Sequence, residues 1–208
     1  MNPSLARLAA TGLLAGLCAM SDAADVPADA GRAALKPTLD TCATCHGTKG
    51  QGISPVFPNL AAQTASYLEM QLRAFKDQSR DDPDAQAYMW GMATQLSDAS
   101  ISALAAYYAA QPAAPGHSGN AAQTEQGRKL YEQGVPARGI PPCTNCHGQH
   151  AEGLSVFPRL AGQHAPYLLK QMLVIQTVLR TAPVMHGLIK DLSRDQMQAV
   201  VTYLESIP

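Results

Sequence analysis

Two five-residue stretches decide how this chain is read: Cys42-Ala43-Thr44-Cys45-His46 and Cys143-Thr144-Asn145-Cys146-His147, both of the form C-x-x-C-H. Outward from them the chain repeats itself. Val56-Phe57-Pro58-Asn59-Leu60-Ala61-Ala62-Gln63 returns 100 positions later as Val156-Phe157-Pro158-Arg159-Leu160-Ala161-Gly162-Gln163, and Tyr67-Leu68 returns as Tyr167-Leu168. Beyond that the offset is 96: Met89 matches Met185, Leu96-Ser97 matches Leu192-Ser193, Tyr107 matches Tyr203 and Pro112 matches Pro208. The four-residue shift falls to an acidic insert around Asp81-Asp82-Pro83-Asp84, which predicts a surface loop. Duplication on this scale predicts two homologous domains, over 25–111 and 123–208. The Pro-, Ala-, Gly- and Ser-rich piece 112–122 reads as their linker.

Each copy has helical period where it has period at all. Leu68, Leu72 and Phe75 share one face, as do Ile101, Leu104, Ala105 and Tyr108. The second copy repeats both stripes in Leu168, Met172, Ile175 and in Met197, Val200, Val201, Leu204, the last helix opening on a capping box at Ser193 and Gln196. No stretch alternates with period two, so the fold class is all-α, with three or so helices per unit. The charge balance is near zero, 15 Lys and Arg against 16 Asp and Glu in 208 residues. That excludes a nucleic-acid binder working by counter-ion release, and 15% charged with 46% hydrophobic residues excludes a disordered chain.

The N-terminus has the anatomy of a cleavable secretory signal over 1–24: Arg7, an apolar run from Leu8 to Met20, then small residues around Ser21-Asp22-Ala23-Ala24. The run is shorter than the ~20 apolar residues a spanning helix needs. Leu17 is bulky where a lipoprotein signal carries a small residue, which argues against lipidation of Cys18. The expected mature chain is soluble and exported.

Aromatic residues make up only 5% of the chain, so domains of about ninety residues need something else to fill their middles. A porphyrin does so, and the motif suits it. Two thiols one helical turn apart, Cys42 with Cys45 and Cys143 with Cys146, reach the two vinyl groups of one haem, and the adjacent His46 or His147 meets the iron. A thioredoxin-like dithiol or a four-cysteine zinc site would use C-x-x-C too. The trailing histidines, the duplication and the lack of a βαβ pattern favour two covalently attached haem c groups. A thioether completes a low-spin iron and raises its potential, which makes the repeat-equivalent Met89 and Met185 the expected second axial ligands. Met92 competes in the first copy, but its partner Leu188 cannot ligate; His186 is the rival to Met185. His117, His150 and His164 read as exposed.

The order C-x-x-C-H, Pro-x-Leu, then Met before the last helix resembles class I cytochromes c. The tandem copies, the Phe-Pro-x-Leu-Ala-x-Gln runs and the Gly139-Ile140-Pro141-Pro142 approach to the second motif resemble the dihaem cytochrome c4 family. The resemblance implies a periplasmic electron carrier of two lobes related by an approximate two-fold, with haem propionates near the interface. It implies too that the Pro58 and Pro158 carbonyls accept the N–H of His46 and His147, where the plainer alternative is two turn prolines. Two roles stay open for Gln63 and Gln163: a bond to a propionate, or a cap on the next helix. Ala62 in place of Gly162, and the unmatched Pro55, are the departures.

Nothing else reads as an active site, so the expectation is an electron-transfer protein and no enzyme. The resemblance implies redox-protein partners, with a quinol-oxidising complex as donor and a terminal oxidase as acceptor, and membrane association only through them. A tightly bound electron-transfer subunit of a dehydrogenase is the alternative. A dihaem peroxidase fits less well, because matched methionines leave no open iron position. From Asp25 to Ala114 the formal charge is −3, and from Pro115 onwards it is +2, which predicts a dipolar chain.

Overall fold

A computed structural model describes residues 28–208; the signal expected over 1–24, and with it Cys18, lies outside the described residues. The first lobe holds α1 (Ala28–His46), α2 (Ala65–Lys76), a π-helical turn (Ala85–Met89) running into α3 (Trp90–Thr94), and α4 (Asp98–Ala109). The second holds α5 (Ala121–Gln133), a 3-10 turn (Pro136–Arg138), α6 (Thr144–His147), α7 (Ala165–Gln176), α8 (Pro183–Ile189) and α9 (Arg194–Ser206). Among the described residues there is no strand, only the isolated bridges Val135–Ile140 and Leu154–Phe157.

The predicted stripes are the buried faces of α2, α4, α7 and α9. Their ends are set locally. The Thr64 hydroxyl accepts the Tyr67 N–H, Ser97 that of Ser100, Asn120 that of Gln123, and Ser193 with Gln196 forms the expected capping box. Each such cap contributes about 1 kcal/mol. In the second lobe α5 lies against α9 at very short range: a Cβ on Gly127 would stand 2.0 Å from the Ala199 carbonyl oxygen. That lobe has one continuous core, including Tyr131, Leu168, Ile175, Met197 and Val201. The first is divided, with Leu68, Leu104, Ala105 and Tyr108 in one cluster and Phe75, Ala85 and Ala93 in another.

The acidic insert is not a surface loop. Arg80 and Pro83 keep the 100-residue offset to Arg180 and Pro183, so the four extra residues follow Pro83 and coil into the π-helical turn. Asp82 is 1% exposed, its carboxylate 2.8 Å from Nε of the buried Arg80. A guanidinium neighbour lets this carboxylate leave water, a pairing that composition does not reveal. The segment joining the lobes is tied down as well. Gln51 Nε2 donates to the Pro112 and Ala113 carbonyls at 2.7 and 3.1 Å, and the His117 N–H donates to the Glu205 carbonyl at 2.8 Å. No helix among the described residues is long and apolar enough to cross a membrane.

Candidate functional site

The first motif forms the last turn of α1 and the second forms α6, so both hold their cysteines and histidine at helical spacing. Gly47 and Gly148 end these turns at φ +77° and +89°, where a Cβ would collide with the Gln51 carbonyl or the Glu152 carboxylate. The chain thus reverses directly behind each histidine. His46 and His147 are each 7% exposed. Their Nδ1 atoms lie 2.9 Å from the Pro58 and Pro158 carbonyl oxygens. A carbonyl only accepts, so Nδ1 carries the proton and the lone pair of Nε2 is left for a metal. Burial pulls both imidazoles below the ordinary histidine range against the pull of these hydrogen bonds, which favours the neutral, ligating form. The prolines are therefore more than turn formers.

Cys42 and Cys143 are half-buried against the cores, and burial raises both thiols, Cys143 to about 11. A redox dithiol works with a lowered thiol pKa, the opposite arrangement. A cavity of about 670 Å³ runs from Cys143, Cys146 and His147 past Met185 to the seam between the lobes. Met185 thus shares a cavity with His147, while its rival His186 is tied through Nδ1 to the Ile175 carbonyl at 3.0 Å. In the first lobe Met89 packs beside Phe75, Ala85 and Ala93, whereas Met92 is 55% exposed. Phe57 meets the His46 ring on one side and the ring of Tyr88, next to Met89, on the other.

The seam itself is built of polar residues that recur at the 100-residue offset. Gln63 Oε1 accepts the Arg159 N–H at 2.7 Å and its Nε2 donates to the Arg159 carbonyl at 2.9 Å. Gln163 does the same to Asn59, at 2.8 and 2.9 Å. Each Oε1 also accepts the N–H of the following residue, Thr64 or His164, but neither glutamine caps a helix: Thr64 caps α2 with its own hydroxyl and α7 has no side-chain cap, so the role the structure gives the glutamines is a cross-lobe one. His164, expected to be exposed, is buried because its Nε2 donates to the Gly52 carbonyl of the other lobe at 2.8 Å. His117 and His150 are exposed as expected.

Below this clamp Arg80 and Arg180 are both buried. Arg80 donates to Gln71 and Gln171 at 2.7 and 3.0 Å; Arg180 donates to Gln171, Gln71 and the Tyr67 hydroxyl at 2.6, 3.0 and 3.1 Å. Burial would raise the Tyr67 phenol, but Arg180 and Arg80 hold it below its ordinary value. Helical period alone does not single out this network, although the matches Gln71–Gln171 and Arg80–Arg180 were there in the sequence. Among the described residues Asp82 supplies the one carboxylate within salt-bridge range of the two guanidiniums. A buried positive charge in excess at the wall of an apolar cavity calls for an anion. Haem propionates answer that need, the cavity falls in the roughly 300–1,000 Å³ range of ligand sites, and the motif thiols and imidazoles complete the fit.

Comparison with known proteins places this geometry. A Cytochrome c family model matches residues 29–110 and again 124–208. Cytochrome c4 of Pseudomonas aeruginosa is 33% identical over the whole of both chains. A thiosulfate dehydrogenase electron acceptor of Thiomonas intermedia is 36% identical over 87% of this chain and 85% of its own. The solved cytochrome c4 of Acidithiobacillus ferrooxidans superimposes with a TM-score of 0.77 at 38% identity, covering 81% of this chain and 99% of that one. The fold is that of the cytochrome c4 electron-transfer proteins, with two c-type haem groups, one per C-x-x-C-H motif. The chain belongs to the cytochrome c family, within it to the dihaem cytochromes c4.

Proposed function

We propose that the chain works in the periplasm as a one-electron carrier of a respiratory chain, taking electrons from a quinol-oxidising complex and passing them towards a terminal oxidase. In this reading Cys42 with Cys45, and Cys143 with Cys146, attach the two haems. His46 with Met89, and His147 with Met185, would ligate the two haem irons. The observation that carries it is the matched pair of 2.9 Å bonds from His46 and His147 to the Pro58 and Pro158 carbonyls, which fix both rings with Nε2 free. Haem iron, when bound, alternates between ferric and ferrous and so moves one electron. The protein's part is to hold ligation constant in both states, exclude water from the imidazoles and neutralise the propionates at Arg80 and Arg180.

A second reading, a tightly bound partner of a dehydrogenase, is favoured by the similarity to the thiosulfate dehydrogenase electron acceptor. Protein matured with a haem-attachment system should carry two haems that survive denaturation and, when ferric, the near-infrared sulfur-to-iron band of methionine ligation. One haem, or no such band, overturns the assignment. Size exclusion of native extract with haem detection separates the readings: elution near the 21.9 kDa of the chain supports the free carrier, and co-elution with a large complex supports the bound subunit.

A further inference from the structure

Each imidazole bond ends on a peptide group whose other end leaves the lobe. Pro58 C=O accepts from His46, and the N–H of that same peptide, on Asn59, donates to Gln163 Oε1 in the second lobe at 2.8 Å. Pro158 C=O accepts from His147, and its peptide N–H, on Arg159, donates to Gln63 Oε1 in the first lobe at 2.7 Å. The arrangement is reciprocal: each lobe holds the far side of the peptide that orients the other lobe's histidine.

Hydrogen bonds in such a chain reinforce one another, by about 10–30% per bond. An acceptor on the N–H draws positive charge to that end of the peptide and leaves more electron density on the carbonyl oxygen. The oxygen then takes the imidazole N–H more strongly, and the ring becomes a better electron donor at Nε2. Gln63 and Gln163 are each 6% exposed, so bulk water does not replace these acceptors.

We propose that Gln163 and Gln63 are positioning residues acting across the seam, Gln163 tuning the donor strength of His46 and Gln63 that of His147. The inference rests on the reading that these imidazoles bind haem iron. A stronger donor favours the ferric state, so each glutamine lowers the potential of the haem in the lobe it does not belong to. The first lobe is the more tightly held. There the Asn59 side chain also accepts the Gly52 N–H at 2.9 Å and donates to the Gly162 carbonyl at 2.8 Å, where the second lobe has the half-buried Arg159. Gln163 therefore has the larger effect.

The test is a redox titration of the dihaem protein followed by NMR. Phe57 and Phe157, whose rings lie 6.1 and 6.4 Å from those of His46 and His147, report the lobes separately. Gln163→Leu removes the acceptor: the first-lobe ferric-to-ferrous ratio at fixed poise should fall severalfold, and the Asn59 amide proton should move upfield in the reduced state. Gln163→Glu, measured at alkaline pH, places a stronger acceptor there and should move both readouts the opposite way. Gln63 variants should mirror this in the second lobe. Shifts of one sign for both substitutions, or shifts confined to the lobe carrying the variant, mean that the glutamines only hold the seam together and overturn the proposal. Should the leucine variant fail to fold, a raised first-lobe potential in Gln163→Glu alone overturns it. If the ligand assignment itself is wrong, the wild-type His46 and His147 ring signals will lack haem ring-current shifts in the reduced state, which is seen before any variant is made.

Discussion

The two lobes descend from one pattern and hold themselves together differently. In the second, α5 crosses α9 at backbone contact through Gly127, and the buried residues of α7, α8 and α9 form a single cluster. In the first, the buried residues fall into two clusters, one under α4 and one under the π-helical turn, which meet through the partly buried Leu96. A duplicated framework thus tolerates the loss of continuity in one core, provided something else spans the gap, and a porphyrin is large enough to do so. The first lobe should depend on its prosthetic group for folding more than the second.

That expectation can be broken most directly by removing the attachment points. Cys42→Ala with Cys45→Ala, and separately Cys143→Ala with Cys146→Ala, should each lower the haem content from two to one by mass. The first pair should cost more helical circular dichroism; equal losses would mean that the divided core is sufficient by itself. Next in size, Met89→Ala and Met185→Ala should each remove about half of the near-infrared band, while Met92→Ala should leave it intact. Loss on Met92→Ala instead would move the first lobe's ligand to an exposed position.

The charge buried in only one lobe gives a third contrast. Asp82 has Ala182 as its counterpart, so Arg80 has a carboxylate partner in its own lobe and Arg180 has none among the described residues. Asp82→Asn should lower stability by about 3 kcal/mol in thermal unfolding, because it leaves a buried guanidinium with one anion fewer. The exposed Asp81→Asn should be nearly neutral. Gly127→Ala should cost about 1–3 kcal/mol or more, confined to the second lobe, since the added methyl meets backbone. Gly91 in α3 has nothing within 4 Å of a new Cβ, and there the same change should stabilise by up to about 1 kcal/mol.

The smallest effect concerns the opposite formal charges, −3 and +2, of the two halves. Reversal of Lys190 and Arg194 to Glu should slow one half-reaction with a redox partner, and reversal of Asp81 to Lys the other, both by a few-fold and less so at high salt. Asp82 is buried and is no probe of this surface. Stopped-flow traces flat across a salt series would leave the charge split without a role.

Much of this was legible before any coordinates. The C-x-x-C-H turns, the repeat, the helix stripes and the Ser193 cap are local or periodic signals, and the carbonyl roles of Pro58 and Pro158 came with the family resemblance. The seam was not. Gln163 and Asn59 meet across more than a hundred positions, and no period links them; the matched glutamines could be read as polar residues of a repeat but not as partners of each other's neighbours. Asp82 misled for a related reason, since a run of acids reads as solvated until a buried arginine is seen beside it. The π-helical turn escaped because its four extra residues keep helical character and so leave no gap in the pattern.

One consequence follows from the strand of chain that joins α4 to α5 and is pinned by Gln51 and Glu205. Two separate copies of one lobe would meet through an isologous contact, and symmetry would force both sites to be identical. Here the halves are held at the high local concentration that a short tether provides, so the seam need not support association from solution. Freed from self-complementarity, the halves have diverged at matched positions, Asn59 against Arg159 and Thr64 against His164. The tether thereby leaves one polypeptide free to surround its two C-x-x-C-H motifs unequally.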